Sequence, residues 1–298
     1  MVLSIVVQTH AQYQSARREF ILHPEYLVNL EHLLANLTVD LVTKHYLEIR
    51  RDYDEASLLE PFWRNYPPDH RGRAFIGDQV PWIEVGEHAI GHRLNRLFGS
   101  VPMVTEIREV GLPTGADNRF LVRSPRVAEI TNGFTNAVFV YLDIKSVGPR
   151  DEAEHTVLSP FQVSGDGKWD RAEDGLRNSV VTASGKRASH PFYPAASPIY
   201  VLSDGTIAPT IHLFVKPKYG MNWLQGLLEF GQDLEYIRVI TVPNGLLLCE
   251  NPNFLARYPR LLFPGKDDKS KPSLKVRCRV DFSILEAIDP WRVQKISF

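Results

Sequence analysis

The sequence has only two cysteines in 298 residues, Cys249 and Cys278. Two cysteines cannot form a framework of several disulfides or a cysteine-based zinc cluster, so we expect a protein of the reducing cytoplasm. The sequence has no apolar run of membrane-spanning length, and its first residues lack the basic and apolar segments of a secretory signal. We therefore expect no membrane partner. The histidines show no metal-ligand spacing, and His212, inside an apolar run, is expected to be a core residue.

The chain has almost no net charge, −1 by formal count, which is unusual for a protein that binds nucleic acid. The charge is segregated, however, because residues 255–280 hold eight Lys or Arg and two Asp, a local charge of +6. A compact basic region on a neutral protein is typical of a localised contact with a polyanion. A solvated charged loop is an equally open interpretation of the charge alone.

The first third of the sequence has helical periodicity. Pro24 can occupy the first position of a helix, and a stripe of leucines at near-heptad spacing follows it: Leu27, Leu30, Leu34, Leu37 and Leu41. The stripe predicts core packing, with a dimer seam as the alternative. A further helix is predicted from about Val80 to Phe98, with Pro81 in its first turn.

From about Val104 onward the pattern changes to strands and turns. Asp204-Gly205 and Asn244-Gly245 each lie between apolar runs and predict hairpins. Residues 148–198 are rich in Gly, Pro, Ser and Asp, which indicates a long irregular excursion. The pattern predicts an α/β protein with a mixed β-sheet flanked by helices and with added decorations. Because no clear linker or repeat interrupts it, the chain 1–298 is expected to be a single domain.

The run Ala137–Lys145 is the most informative segment, because a β-rich apolar stretch ends abruptly in Asp143-Ile144-Lys145. Strand side chains alternate, so Asp143 and Lys145 share one face. A carboxylate that can hold a divalent cation, beside a lysine that can stabilise charge on phosphate, suits metal-dependent hydrolysis of phosphodiesters. Most isolated Asp-x-Lys triplets are surface ion pairs, so the neighbouring residues must support this interpretation.

Two further carboxylates belong to the same candidate site. Glu87 falls inside the apolar stripe of the helix predicted there, where a carboxylate needs a cation, a proton or a metal. The alternative is a buried ion pair with an arginine such as Arg108 or Arg119. Asp117 precedes a predicted strand, and an Asp after Gly-Ala is more often a turn residue. Together, Asp117 and Asp143 offer the oxygen ligands that Mg²⁺ prefers.

The segment Lys275–Phe282 alternates strictly between apolar and charged residues. The charged face carries Arg277, Arg279 and Asp281. Arginine can pair with guanine through two hydrogen bonds, and a carboxylate can accept from cytosine, so this strand has the chemistry to read G·C pairs in the major groove. An edge strand that its charge protects from aggregation is the alternative.

Several stretches resemble the BglI-type restriction endonucleases, type II enzymes of the PD-(D/E)xK nuclease superfamily. They occur in order, with almost no change in length, from about residue 50 to 282: NYPP (65–68), PWIEVGE (81–87), GLPTG with Asp117, TNGFT (131–135), DIKSVGPRD (143–151), LSDGTIAP (202–209), VPNG (242–245), PGKDD (264–268) and R-x-RVD (277–281). The resemblance is weak over the first 45 residues, around 221–240 and at the C-terminal tail. Ala116 stands where the superfamily has the proline of its Pro-Asp dipeptide, and that proline shapes the turn without acting as a ligand.

The resemblance implies a restriction-endonuclease-like core and assigns roles to parts of the chain. It implies a helical N-terminal part at 1–60, a catalytic core at 78–150, and a DNA-reading loop and strand at 255–282. The catalytic residues that it implies are Asp117, Asp143, Lys145 and Glu87, with one or two Mg²⁺ held by Asp117 and Asp143. The DNA-binding residues that it implies are Lys266, Asp268, Arg277, Arg279 and Asp151.

The resemblance also implies the reaction and the partners. It implies a homodimer that makes double-strand breaks in double-stranded DNA at GCC-NNNNN-GGC, beside a cognate DNA methyltransferase that is not a stable partner. Two alternatives stay open: a related nuclease with a different recognition site, and a catalytically silent sequence-specific DNA-binding protein. Asp117, Asp143 and Lys145 count against the silent protein, since a pure binder does not need a metal-binding pair beside a lysine.

Overall fold

The computed structural model describes residues 2–57, 81–111, 116, 118–145, 154–223, 230–265, 272 and 275–297. Within these ranges, side chains are described for residues 6–52, 90–111, 116, 118–145, 154–218, 234–265, 272 and 275–297. The longer helices are α1 (Val2–Leu22), α2 (Pro24–Lys44), α3 (Tyr46–Ser57) and α4 (Pro81–Phe98). Pro24 and Pro81 each stand at the first helical position, as predicted, because proline has no N–H to lose there. No described helix is long and apolar enough to cross a membrane.

The rest of the chain is built from short elements. The strands are β1 (Glu106–Glu109), β2 (Asn118–Arg123), β3 (Ala137–Ile144), β4 (His155–Leu158), β5 (Val181–Ser184), β6 (Ser189–Phe192), β7 (Ile199–Val201), β8 (Ile207–Trp223), β9 (Phe230–Val242), β10 (Leu262–Pro264), β11 (Cys278–Asp281) and β12 (Val293–Ile296). The shorter helices are α5 (Pro125–Ile130), α6 (Gly245–Cys249), α7 (Phe254–Arg257) and α8 (Phe282–Ile288).

Seven of the described strands form a central mixed sheet in the order β1-β2-β3-β8-β9-β12, with β7 also paired to β8. β3 and β8 are parallel, and their neighbours join them in antiparallel pairs. β3 is buried along its whole length, which is typical of a strand covered on both faces. The mixed sheet and its position among helices confirm the predicted fold class.

The two faces of the central sheet are covered differently. One face packs against α2, α3 and α4 through a core that includes Leu34, Ile90 and Leu142. The opposite face packs against α1, α6 and α8 and against a second described sheet of three strands, ordered β10-β11-β4. Leu27, Leu30 and Leu34 are fully or almost fully buried within the chain. The leucine stripe is therefore core, as predicted.

One predicted hairpin is confirmed and one is wrong. Asp204-Gly205 forms the turn between β7 and β8, with the Leu202 N–H bonded to the Thr206 carbonyl at 2.8 Å. Asn244 instead lies two residues beyond the end of β9 and caps α6, because its side-chain oxygen accepts the Leu246 N–H at 2.9 Å. An Asn-Gly pair supplies the same local chemistry to a turn and to a helix N-cap, and the packing of α6 decides between them here.

A buried ion pair ties the first part of the chain to its last part. Arg292 and Glu31 are both fully buried, and their charged groups lie 2.8 Å apart. The second Glu31 oxygen accepts the Asn244 N–H at 2.6 Å. Burial raises the pKa of Glu31, although Arg292 acts in the opposite direction. The pair joins α2 to the segment that leads into β12.

Candidate active site

The end of β3 carries a buried carboxylate beside a lysine. Asp143 is 1% exposed, and the Lys145 Nζ lies 2.6 Å from its Oδ2. Lys145 follows directly on the strand, and its N–H donates to the Val215 carbonyl of β8 at 2.9 Å. A buried carboxylate is costly unless a cation or hydrogen-bond donors compensate it, and Lys145 supplies the cation here. The two side chains share one face, as the alternation of the strand predicts.

The other oxygen of Asp143 is held by Gln162, a residue that the sequence analysis missed. The Gln162 Nε2 donates to Oδ1 at 2.9 Å, and its own Oε1 accepts the Ser159 N–H at 2.9 Å. Gln162 ends the short 3₁₀ turn that follows β4. The spacing of Ser159 and Gln162 is a capping-box signal, which predicts the turn but not its contact with Asp143.

Lys216 is a second residue that the sequence analysis missed. It lies on β8, is 6% exposed, and donates a hydrogen bond to the His155 carbonyl of β4. Its Nζ also lies 5.3 Å from the centroid of the Phe282 ring. The sequence did contain a signal for this residue, because Lys216 directly follows the apolar run 211–215 of a strand that is buried.

Helix α4 meets the sheet where β2 begins and β3 ends. A Cβ added to Gly91 would lie 3.3 Å from Ile144 Cγ1 and 3.5 Å from Asn118 Nδ2. Glu87 lies one helical turn before Gly91, so the two positions share a helix face. The Glu87 side chain and Asp117 lie outside the described residues. The structure thus brings Asp143 and Lys145 together, and the roles of Glu87 and Asp117 stay predictions.

The predicted DNA-reading strand is shorter than expected and is not an edge strand. β11 lies between β10 and β4, so the edge-strand alternative is wrong. Arg277 is exposed and Arg279 partly exposed, whereas Cys278 and Val280 are buried, as the alternation predicts. Lys266, Asp268 and Asp151 lie outside the described residues.

Asp281 and Phe282 depart from the predicted strand, because α8 begins there. Asp281 caps that helix, with its Oδ1 accepting the Ser283 N–H at 3.0 Å and the Ile284 N–H at 3.3 Å. Its carboxylate is thus engaged by backbone donors. Phe282 is the first residue of α8 and is buried.

A basic cleft of about 410 Å³ lies beside β11, between the β5–β6 hairpin and the start of α8. Lys186 at the hairpin turn and Arg260 line it, together with Phe263 and Asp281, whose carboxylate caps α8. Lys186 and Arg260 are exposed, and neither has a carboxylate within 4.0 Å among the residues that the structure describes. Among the described lining residues, the two cations outnumber the one carboxylate, so the cleft offers a net positive charge to an anionic partner next to Arg279.

His212 is a core residue, as predicted. It is 1% exposed, and its Nε2 accepts the Ser164 N–H at 3.1 Å. Burial lowers the pKa of His212 to about 3, so the ring is neutral in the folded protein at neutral pH. Among the described residues, no group of three His, Cys, Asp or Glu is placed to hold a metal ion.

The fold and the site together define an α/β nuclease: a mixed sheet whose buried central strand ends in an aspartate–lysine pair, with an arginine-bearing strand packed on the same side. The sequence profile of the family described as restriction endonuclease BglI matches residues 8–296. The chain belongs to this family, as its motifs predicted.

Individual relatives agree with the family assignment. The type II restriction enzyme BglI of Bacillus subtilis is 48% identical over 271 residues, which cover 90% of each chain. The crystal structure of BglI bound to its DNA recognition sequence matches with a TM-score of 0.89 and 45% identity over 98% of each chain. Tetrameric SfiI bound to cognate DNA matches with a TM-score of 0.59 and 14% identity, over 91% of this chain and 84% of SfiI, and supports the fold alone.

Proposed function

We propose that the chain is a type II restriction endonuclease that makes Mg²⁺-dependent double-strand breaks in DNA at GCC-NNNNN-GGC. The observation that carries the proposal is the Asp143–Lys145 pair, held at the end of β3 in a chain of the BglI family. The crystal structure of BglI, which is 45% identical to this chain, contains its DNA recognition sequence, which supports double-stranded DNA as the substrate.

The donor chemistry of the site fits a hard divalent cation. Asp143 contributes a buried carboxylate, and oxygen ligands of this kind are what Mg²⁺ prefers. Asp143 would hold the ion together with Asp117, with Glu87 in support. When bound, Mg²⁺ supplies positive charge that polarises the scissile phosphate and lowers the pKa of a water. Lys145, which its strand holds on the same face, would orient the attacking water or bind a phosphate oxygen.

The DNA would lie across the three-stranded sheet β10-β11-β4, the small sheet, and across the basic cleft. Arg277 and Arg279 present guanidinium groups that match the O6 and N7 atoms of guanine, with Lys266, Asp268 and Asp151 as further contacts. Lys186 and Arg260 suit the phosphate backbone. An interrupted palindrome is read by two symmetric protomers, so we propose a homodimer. Such an enzyme needs a cognate DNA methyltransferase in its host, acting separately.

Plasmid cleavage tests the proposal. Unmethylated plasmid with GCC-NNNNN-GGC and a matched plasmid without it are incubated with the protein and Mg²⁺, beside the variant Asp143→Asn. We expect discrete fragments from the first plasmid alone, and none with the variant. Cleavage of both plasmids at other discrete sites would overturn the recognition sequence and keep the nuclease. Tight specific binding without cleavage would identify a silent DNA-binding protein.

A further inference from the structure

Gln162 fixes one end of the Asp143 carboxylate from within the protein interior. Gln162 is 4% exposed, and its Nε2 lies 2.9 Å from Asp143 Oδ1, while Lys145 holds Oδ2. The orientation of the Gln162 amide is set by its second contact. Its Oε1 accepts the Ser159 N–H, which can only donate, so the amide nitrogen must face the carboxylate, which can only accept. The Gln162 amide nitrogen is therefore a donor in a fixed position beside Asp143 Oδ1.

Gln162 is connected to the base-reading strand through β4. In the antiparallel pairing of β4 with β11, Val157 lies opposite Arg279 and Leu158 lies opposite Cys278. Gln162 follows Leu158 after a single cap residue and the first part of the 3₁₀ turn. A displacement of β11 in its ladder would thus displace β4, and with it the amide that holds Asp143.

The opposite end of β4 is attached to the central sheet as well. Lys216 bonds to the His155 carbonyl, and Arg238 pairs with Glu154 at 2.9 Å. Lys216 and Arg238 face each other across β8 and β9. β4 is consequently anchored near both ends to the sheet that carries Asp143, and it pairs along its length with the strand that carries Arg279.

We infer that Gln162 is a positioning residue that orients the Asp143 carboxylate and, through β4, couples that orientation to base recognition by β11. The inference rests on the proposed function, because it assigns Asp143 to the metal and Arg279 to a base. It adds a residue and a physical connection between recognition and cleavage.

The first test is the variant Gln162→Met, which keeps the length of the side chain and removes both amide contacts. Calorimetric titration with Mn²⁺ in the absence of DNA reports on Asp143 without any cleavage. We expect Mn²⁺ affinity and single-turnover cleavage of a cognate duplex to fall about tenfold to a hundredfold, the range for groups that orient a metal ligand. Duplex affinity in Ca²⁺ should be unchanged. Should Gln162→Met fail to fold, Gln162→Asn takes its place with the same expectations.

Gln294→Met is the matched control. Gln294 lies on β12, where it bonds weakly to Asn36 at 3.4 Å, and we expect its variant to behave as wild type. Wild-type values for Gln162→Met would overturn the positioning role. A loss of duplex affinity as large as the loss of cleavage would also overturn it, since Gln162 would then serve binding. If the wild-type protein cleaves no DNA, the proposed function fails, and the Mn²⁺ titration still decides the role of Gln162.

The coupling itself is tested by a double-mutant cycle on the single-turnover rate. Gln162→Met is measured in wild type and in Arg279→Ala. If β4 transmits recognition, Gln162→Met lowers the cleavage rate by a smaller factor in the Arg279→Ala background than in wild type. The reason is that Arg279→Ala has already broken the connection. Losses that simply multiply would overturn the coupling and leave Gln162 as a local support of Asp143.

Discussion

Gly91 of α4 and Ile144 of β3 approach so closely that a Cβ on Gly91 would lie 3.3 Å from Ile144 Cγ1. Replacing Gly91 by alanine gains about 1 kcal/mol of helix propensity and loses about 1–3 kcal/mol to overpacking. We therefore expect Gly91→Ala to lower the free energy of unfolding by about 0–2 kcal/mol. Cleavage should fall several-fold, because the added methyl displaces the helix that carries Glu87. Chemical denaturation and single-turnover kinetics measure the two effects.

Gly99, just beyond the end of the same helix, provides the comparison. A Cβ there would meet only ordinary contacts, the nearest at 3.5 Å from the Arg96 carbonyl. Gly99→Ala should keep wild-type cleavage. Equal rates for Gly91→Ala and wild type would show that the close approach of α4 to β3 does not matter to the site.

Asp143→Asn removes the charge of the buried carboxylate and keeps its shape. We expect cleavage to fall by at least about a hundredfold, the size of effect seen when one key electrostatic group of an active site is removed. Duplex affinity should persist or increase, because less negative charge then faces the DNA. Single-turnover cleavage and gel-shift titration in Ca²⁺ separate the two. Asp204→Asn, in the exposed β7–β8 turn, is the control. Cleavage that survives in Asp143→Asn would show that a different carboxylate is the essential one.

Arg279 should contribute to sequence-specific DNA binding, whereas Lys186 should contribute to binding of any DNA sequence. Arg279→Ala is expected to cost about 1–3 kcal/mol on the cognate duplex and to relax discrimination at one base pair. Lys186→Ala should weaken binding to all duplexes and reduce the salt slope of log K by about 1. Duplex titrations at several salt concentrations, with cognate and singly altered sites, measure both. A Lys186→Ala protein with the wild-type salt slope would place the phosphate backbone away from the cleft.

His212 should make the protein less stable as the pH falls. Burial lowers its pKa to about 3 in the folded state, so below about pH 6.5 the unfolded chain binds a proton that the folded chain does not. The free energy of unfolding should then decrease by about 1.4 kcal/mol per pH unit from this group. His212→Gln, which can still accept from Ser164, should remove that part of the slope. Urea unfolding at pH 5 and pH 7 tests this, and an unchanged slope in His212→Gln would contradict it.

The parts of the fold that could be predicted depend on local chemistry. Proline at a first helical position, the leucine periodicity of α2 and the Asp204-Gly205 turn each act within a few residues. Asn244 misled the prediction, because its side chain caps a helix with the same hydrogen bond that it would use in a turn. Which of these forms is decided by the packing of α6, and no local pattern contains that packing.

The candidate site divides in the same way. Asp143 and Lys145 could be found from the sequence, because one strand places them on one face. Gln162 reaches Asp143 only because β4 folds back over the sheet, a contact across 19 residues of sequence with no spacing rule. Lys216 likewise acquires its partners from the small sheet and α8.

The buried Glu31–Arg292 pair has a consequence for the order of events during synthesis. The two residues are 261 positions apart, so the carboxylate of α2 gains its cation only after Arg292 has been translated. Leaving such a charge unpaired in a core costs about 3–5 kcal/mol, a large part of the stability of an ordinary domain. A ribosome-bound chain that ends before Arg292 also lacks β12, so its central sheet is incomplete. The packing of α2 against the segment that leads into β12 is therefore completed only after Arg292 has been synthesised.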